Sequence, residues 1–166
     1  MTFTEIKELL IQKFGPDIIE AEETQGLQPA LVIKKDHIVE VCLMLRDNEN
    51  TWFDFLSNLS GVDYGVEAQK FGVVYHLSSI LKKHQLVLKV YQQNDRDEQN
   101  LPVFKSVTSV WKTADWHERE AFDLLGIYFE GHPDLRRILL PDDWEGYPLR
   151  KDYKTAEQYH NIKIDM

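Results

Sequence analysis

One cysteine, Cys42, is all the thiol this 166-residue chain has. An internal disulfide is excluded. So is an iron–sulfur cluster held by this chain alone, because such clusters take several thiolates. Cys42 lies in Val41-Cys42-Leu43-Met44-Leu45, where a small thiol packs like an apolar side chain, so it reads as buried and inert. Positive charge is also scarce: 19 Lys and Arg against 28 Asp and Glu leave a net charge of −9. That argues against nucleic acid, whose binders need a clustered positive footprint. The pairs Lys34-Lys35 and Lys82-Lys83 are too short to supply one. Long apolar runs are missing. The longest stretch free of Asp, Glu, Lys and Arg is the eleven residues Phe71–Leu81, and it holds His76, Ser78 and Ser79. A bilayer span needs roughly 18–20 apolar residues, so none is predicted. The opening MTFTEIKELL carries charge from position 5, which predicts no secretory signal. These absences together point to the cytoplasm or a cytoplasmic membrane face.

What is present fits one folded domain: 43% hydrophobic and 28% charged residues over a length able to bury a core. Thr2 and Glu5 form a capping-box pattern, followed by Ile6, Leu9, Leu10 and Phe14 at helical spacing and a stop at Gly15-Pro16. A short edge strand is expected near Ile18–Glu20 and another strand at Ala30–Lys34. Asp36 is placed to cap a second helix with the stripe Ile38, Val41, Cys42 and Leu45; a strand over Val39–Leu45 is the alternative. Trp52–Tyr64 mixes both periods and reads as part strand, part short helix. Phe71–Leu77 and Leu86–Tyr91 alternate as strands, joined as a hairpin through Lys82–Gln85. Asn94–Asn100, NDRDEQN, reads as a loop of solvated charges. Pro102 is expected to open a helix carrying Val103, Ser106, Val107, Val110 and Trp111. The fold class that follows is α+β: a mostly antiparallel sheet flanked by helices. The expected division is residues 1–126 as the α+β domain and 127–166 as an extended arm of the same structural unit.

Trp116–Tyr153 is the dense part. It holds four of the six arginines, nine carboxylates and seven aromatics. Asp115 and Glu118 read as a second capping box, opening a helix to about Leu125 with Gly126 as its left-handed end. Ala121, Phe122, Leu124 and Leu125 form its apolar side. Trp116, Glu120 and Asp123 fall on another stripe, and Arg119 and Asp123 are i, i+4 partners. Taken alone, this is a surface helix with ordinary ion pairs. Beyond it, Pro133, Pro141, Pro148, Gly131 and Gly146 exclude a long helix; one turn at Pro133–Arg137 is allowed. Leu135, Ile138, Leu139, Leu140, Trp144 and Tyr147 give this extended, proline-stiffened segment apolar anchors, as a wrapping contact requires.

Catalytic readings are weak. His117-Glu118 begins like a zinc-protease helix, but Ala121 stands where the second histidine is needed. His132-Pro133-Asp134-Leu135-Arg136 resembles a kinase catalytic loop without any glycine-rich phosphate loop upstream. No GxGxxG, P-loop or nucleophile elbow occurs. His117 and His132 with nearby acids form at most a loose metal site, and His132 better suits a turn cap. Lysine outnumbers arginine 13 to 6 overall, yet Trp116–Tyr153 has one lysine, Lys151, and four arginines. Arginine is favoured in buried and interface ion pairs, so the reversal fits either a docking surface or an internal network that pins a loop.

The block Glu118-Arg119-Glu120, Asp123, Gly126-Ile127, Phe129, then HPDLRRILLPDDW and GYPLRKDY, resembles the family of the 30 kDa subunit, or C subunit, of the proton-translocating NADH:quinone oxidoreductase, respiratory complex I. The pieces LSGVDY at Leu59–Tyr64 and Tyr75-His76-Leu77 are similar to that family as well. Leu125 departs from it, standing where an aromatic often precedes the glycine. The resemblance implies a non-catalytic, hydrophilic peripheral-arm subunit without a cofactor of its own. FMN, iron–sulfur clusters and quinone would sit on partner subunits. It implies an arm that embraces the D subunit and lies near the B and I subunits, on the cytoplasmic face of the inner membrane, with membrane association only through the complex. The residues implied in docking or in pinning the arm are Glu118, Arg119, Glu120, Asp123, Gly126, His132, Pro133, Asp134, Leu135, Arg136, Arg137, Trp144, Gly146, Pro148, Arg150, Lys151 and Asp152. The chain ends thirteen residues after Tyr153, so a stand-alone form without a fused D-type domain is expected. Energy-converting hydrogenases and other ferredoxin-driven relatives of complex I carry similar subunits and are the alternative setting. A metal-dependent hydrolase using His117 and His132 is the reading from another class.

Overall fold

Thr2 starts the first helix as its spacing with Glu5 predicts. The Thr2 hydroxyl accepts the Glu5 amide and the Glu5 carboxylate accepts the Thr2 amide, satisfying two donors that a helix start leaves open. Helix α1 spans Phe3–Phe14 and buries Ile6 and Leu10. In this computed structural model, which describes residues 1–155, 157–160 and 162–163, the chain continues through a short 3-10 turn into β1 (Ile19–Glu23) and β2 (Ala30–Ile33). Helix α2 (Ile38–Asp47) follows, then β3 (Phe55–Asp63), β4 (Lys70–Ser79) and β5 (His84–Gln93). The five strands form one sheet in the order β1-β2-β5-β4-β3, antiparallel except for the β2–β5 pair. The α+β class is therefore as expected. One sheet face presents Phe71, Val73, Tyr75, Leu77, Leu86, Leu88 and Val90 to Ile6, Leu10, Ile38, Val41 and Leu45, and all are buried. Cys42 belongs to this core, and burial drives its thiol pKa well up, as an inert thiol requires.

Four local expectations fail for identifiable reasons. Asp36 does not cap α2: it sits in a 3-10 turn, Lys35–His37, that runs directly into the helix. Trp52–Tyr64 holds no helix. From Phe55 to Asp63 it pairs with β4, and a bulge near Leu56/Asn58 shifts the alternation that made the period ambiguous. The β4–β5 turn lies at Ile80–Lys83, two residues earlier than expected, because pairing extends to Ser79↔His84. No helix follows Pro102. Val103–Lys105 is strand β6, parallel to β7 (Tyr128–Glu130). The Ser106 amide goes to the Glu130 carbonyl and the Val107 amide to the Glu118 carboxylate, so neither is free for a helix.

Helix α3 spans Ala114–Leu125 and ends at Gly126, with φ 67 and ψ 38, in the left-handed conformation predicted for it. It packs beneath β3, where a Cβ on Gly61 would lie 2.7 Å from Leu125 Cδ1 and 2.8 Å from Ile127 Cδ1. The small residue lets helix and strand approach. After β7 the described chain has no long element, and a short hairpin of β8 (Gln158–Tyr159) and β9 (Ile162–Lys163) lies near its end.

Candidate functional site

Helix α3 is not a surface helix. Glu118 and Asp123 have no exposed area, and Arg119 is 8% exposed. Burying charges on a helix requires partners, and residues 131–153 supply most of them. Asp123 Oδ2 accepts three consecutive amides, Ile138 (3.0 Å), Leu139 (2.7 Å) and Leu140 (2.9 Å), while Oδ1 takes Arg137 Nη1 at 2.8 Å. Burial opposes ionisation of Asp123, but these donors outweigh it and hold the carboxyl below its ordinary pKa. Arg137 also donates to the carbonyls of Trp144 and Gly146 and lies over the Tyr147 ring. Arg119 does not pair with Asp123. Its guanidinium donates to the Arg136 and Arg137 carbonyls at 3.2 and 3.1 Å, because Asp123 is already filled from the other side. The Trp116–Glu120–Asp123 stripe is likewise split, with Trp116 and Glu120 exposed and Asp123 buried. The second capping box does not form: α3 begins at Ala114, and Glu118 turns inward to accept the Val107 amide at 2.7 Å. Burial pushes the Glu118 pKa up to about 7, against the pull of that hydrogen bond, and its Oε2 has no partner.

A second clasp sits at the end of β3. Asp63 accepts the amides of Gly65 and Lys151, each at 2.8 Å, and both terminal nitrogens of Arg96, at 2.9 and 2.6 Å. Arg96 in turn holds Asp152 through two bonds of 2.7 and 2.8 Å. Burial opposes Asp63 ionisation, yet Arg96 and the two amides bring its pKa down to about 2. Arg96 corrects the reading of NDRDEQN as solvated: its side chain is 6% exposed. Nothing local in the sequence marked it, since its partners lie far along the chain. Arg150 lies between the Phe71 and Tyr147 rings and donates to the Leu125 and Arg96 carbonyls. Burial lowers its pKa, and no carboxylate among the described residues bonds to it.

The remaining predicted residues shape the segment. His132 bonds the backbone at both ring nitrogens, facing the Asp115 carbonyl and the Asp134 amide, as a turn cap does. Pro133 and Asp134 form a turn and not the first turn of a helix, and the Asp134 carboxylate pairs with the exposed Arg136. Leu135 packs on the core. Trp144 stacks near Tyr159, and Gly146, at φ 75, lies against Tyr153. Pro148 sits in the turn before Leu149, whose amide reaches the Leu124 carbonyl. Lys151 contributes its amide, while its side chain is exposed with Asp152 beside it. Glu118 and Asp123 are bonded as described and the Asp115 carboxylate lies 3.9 Å from His132 Nε2, which leaves Glu120 as the α3 acid without a partner among the described residues. His117 accepts the Leu59 amide at 3.5 Å. Among the described residues no group of three or more His, Cys, Asp or Glu is arranged to hold a metal ion, and no helix is long and apolar enough to cross a membrane.

Comparison with known proteins fits this chain to one family. The model for the respiratory-chain NADH dehydrogenase, 30 Kd subunit, matches residues 31–159. A protein of Chloroherpeton thalassium, named as the C subunit of an NADH-quinone oxidoreductase, is 45% identical over 99% of this chain, which spans 64% of that relative's length. The protein of the same name from Chlorobium phaeobacteroides is 46% identical over 92% of the chain and 89% of its own length. In three dimensions the chain resembles one from the membrane-bound sulfane sulfur reductase, an archaeal respiratory membrane complex. The TM-score is 0.72 at 21% identity, over 91% of this chain and 85% of that one. At that identity the likeness speaks for the fold alone.

Proposed function

This chain belongs to the family of the 30 Kd subunit of respiratory-chain NADH dehydrogenase, and on that premise we propose that it is a non-catalytic subunit of a proton-translocating NADH:quinone oxidoreductase. Its role is to build and brace the quinone-reducing module. It carries no cofactor, leaving flavin, iron–sulfur clusters and quinone to its partners. It meets the D, B and I subunits through residues 127–166, on the cytoplasmic face of the membrane.

The observation that supports this best is how the charge is used. Asp123 and Asp63 hold the proline-stiffened segment 137–152 by its backbone amides, reinforced by Arg96, Arg119, Arg137 and Arg150. A segment ordered in advance docks at lower entropic cost. Glu118, with its pKa near neutral, is fully enclosed, where no substrate reaches it. The block of charges thus presents the segment to a partner instead of acting on a ligand.

Arg137→Ala and Arg150→Ala test this. Arg137→Ala leaves the buried Asp123 without its charge partner, a loss of about 3–5 kcal/mol, and Arg150→Ala leaves the Leu125 and Arg96 carbonyls without their donor. Both variants are expected to reach the membrane complex poorly on native gels, with the α+β core still folded by circular dichroism. Normal incorporation of both would count against the segment as a docking element. Recovery with a nickel–iron subunit instead of an NADH-oxidising flavoprotein would favour a hydrogenase-type complex.

A further inference from the structure

The sheet has two free edges, and they are built differently. β1 carries Glu20, Glu22 and Glu23, and its register is broken by a bulge after Ile19. Charge and irregularity of this kind keep other strands off an edge. β3 closes the other side of the sheet, FLSNLSGVD, and has no charged residue before Asp63, which is buried. Helix α3 runs alongside it in the same direction. Phe55 and Leu56 lie by Val110–Thr113, Leu59 by His117, and Gly61 by Ala121 and Leu125. The seam between strand and helix, roughly 20 Å or six to seven strand residues long, opens at two separate hollows and is the β3–α3 channel.

Part of the exposed apolar surface lies along this channel. Of the four large aromatics exposed among the described residues, Trp52 and Phe55 line it, and Trp116 stands one helical turn before Glu120 on α3. At one end Trp52, Phe55 and Trp111 line an open hollow of about 540 Å³. At the other, Leu124 and the 58%-exposed Leu149 close a smaller one. Trp52 is held at φ 44, a conformation bulky residues rarely take. Glu120 lines the smaller hollow, exposed and without an ion-pair partner among the described residues, while Glu118 and Asp123 are engaged within the chain and the Asp115 carboxylate lies 3.9 Å from His132 Nε2.

We propose that the β3–α3 channel receives an extended segment of a different polypeptide of the complex. That segment adds alongside β3, sets apolar side chains into the two hollows, and carries a lysine or arginine that meets Glu120. Free strand edges recruit extended chains, alternating side chains supply selectivity, and the unpaired carboxylate fixes the sign of the partner's charge. A second copy of this chain is disfavoured by the net charge of −9. The proposal rests on the reading that this chain works inside a multisubunit complex.

The test places a photoreactive amino acid at Ser60, at Trp116 and, as control, at Glu22, and irradiates the complex purified from membranes. Ser60 and Trp116 are expected to link to one stretch of one other polypeptide, with a basic residue in the linked peptide, and Glu22 to link to nothing there. Glu120→Lys is expected to lower incorporation about tenfold or more while the isolated chain melts unchanged. An intact complex with no link at Ser60 and Trp116, or links only to a second copy of this chain, overturns the channel proposal. A chain that enters no complex overturns the parent reading, and this one with it.

Discussion

Glu118 is where burial and charge conflict most directly. The fold favours its protonated form, with a pKa near 7 against an ordinary 4.5. An acid shifted upward contributes stability that is complete below pH 4.5, declines as pH rises to about 7, and is then flat. The span is on the order of 3 kcal/mol. Glu118→Gln is expected to remove this decline, so melting curves at pH 5 and pH 8 should differ less in the variant than in the parent. An equal shift in both proteins would show that Glu118 does not carry it. Arg96 is the opposite case, a charge fully used. Arg96→Ala strands Asp63 in a buried site, a loss of about 3–5 kcal/mol read in urea titration. The amide of Lys151 should then exchange faster than those of β4. Arg96 was not legible in the sequence because its carboxylates, Asp63 and Asp152, lie 33 and 56 positions away. Asp123 was legible, but helical spacing paired it with Arg119, where the fold delivers Arg137 and three amides from outside the helix.

At the scale of elements, what local chemistry controls was readable and what distant pairing controls was not. The Thr2 capping box, the α2 stripe and the alternating strands Phe71–Leu77 and Leu86–Tyr91 each carry their own period. Val103–Lys105 and Trp52–Tyr64 do not, since a three-residue strand and a bulged edge strand gain their shape from β7 and β4. Gly126 was readable for the same local reason, a left-handed end to a helix, but it does more. A Cβ there would stand 2.6 Å from Tyr147 and 2.7 Å from Arg150 Nη2. Gly126→Ala combines backbone strain with a clash against the segment that packs on α3. It is expected to destabilise by about 2 kcal/mol or more. Differential scanning calorimetry would read this as a lowered Tm, and an unchanged Tm would mean that Tyr147 and Arg150 yield freely.

For the whole molecule, bulk composition excluded classes of function, and the dense block from Glu118 to Tyr153 pointed to a family that the 30 Kd subunit model matches over residues 31–159. What composition left open was whether the arginines face a partner or their own domain. The structure turns Arg119, Arg137 and Arg150 inward and leaves Arg136 exposed. On the function proposed above, this chain contributes a braced surface to a larger machine. The most direct measurement is to recover the tagged chain from membranes in mild detergent, identify its partners by mass and assay the eluate for NADH:quinone reduction. The expected result is an inhibitor-sensitive, multisubunit NADH:quinone oxidoreductase with this chain in one-to-one ratio to its neighbours, and no flavin or metal on the chain once separated. A lone chain, or one that keeps a stoichiometric metal ion, would contradict it.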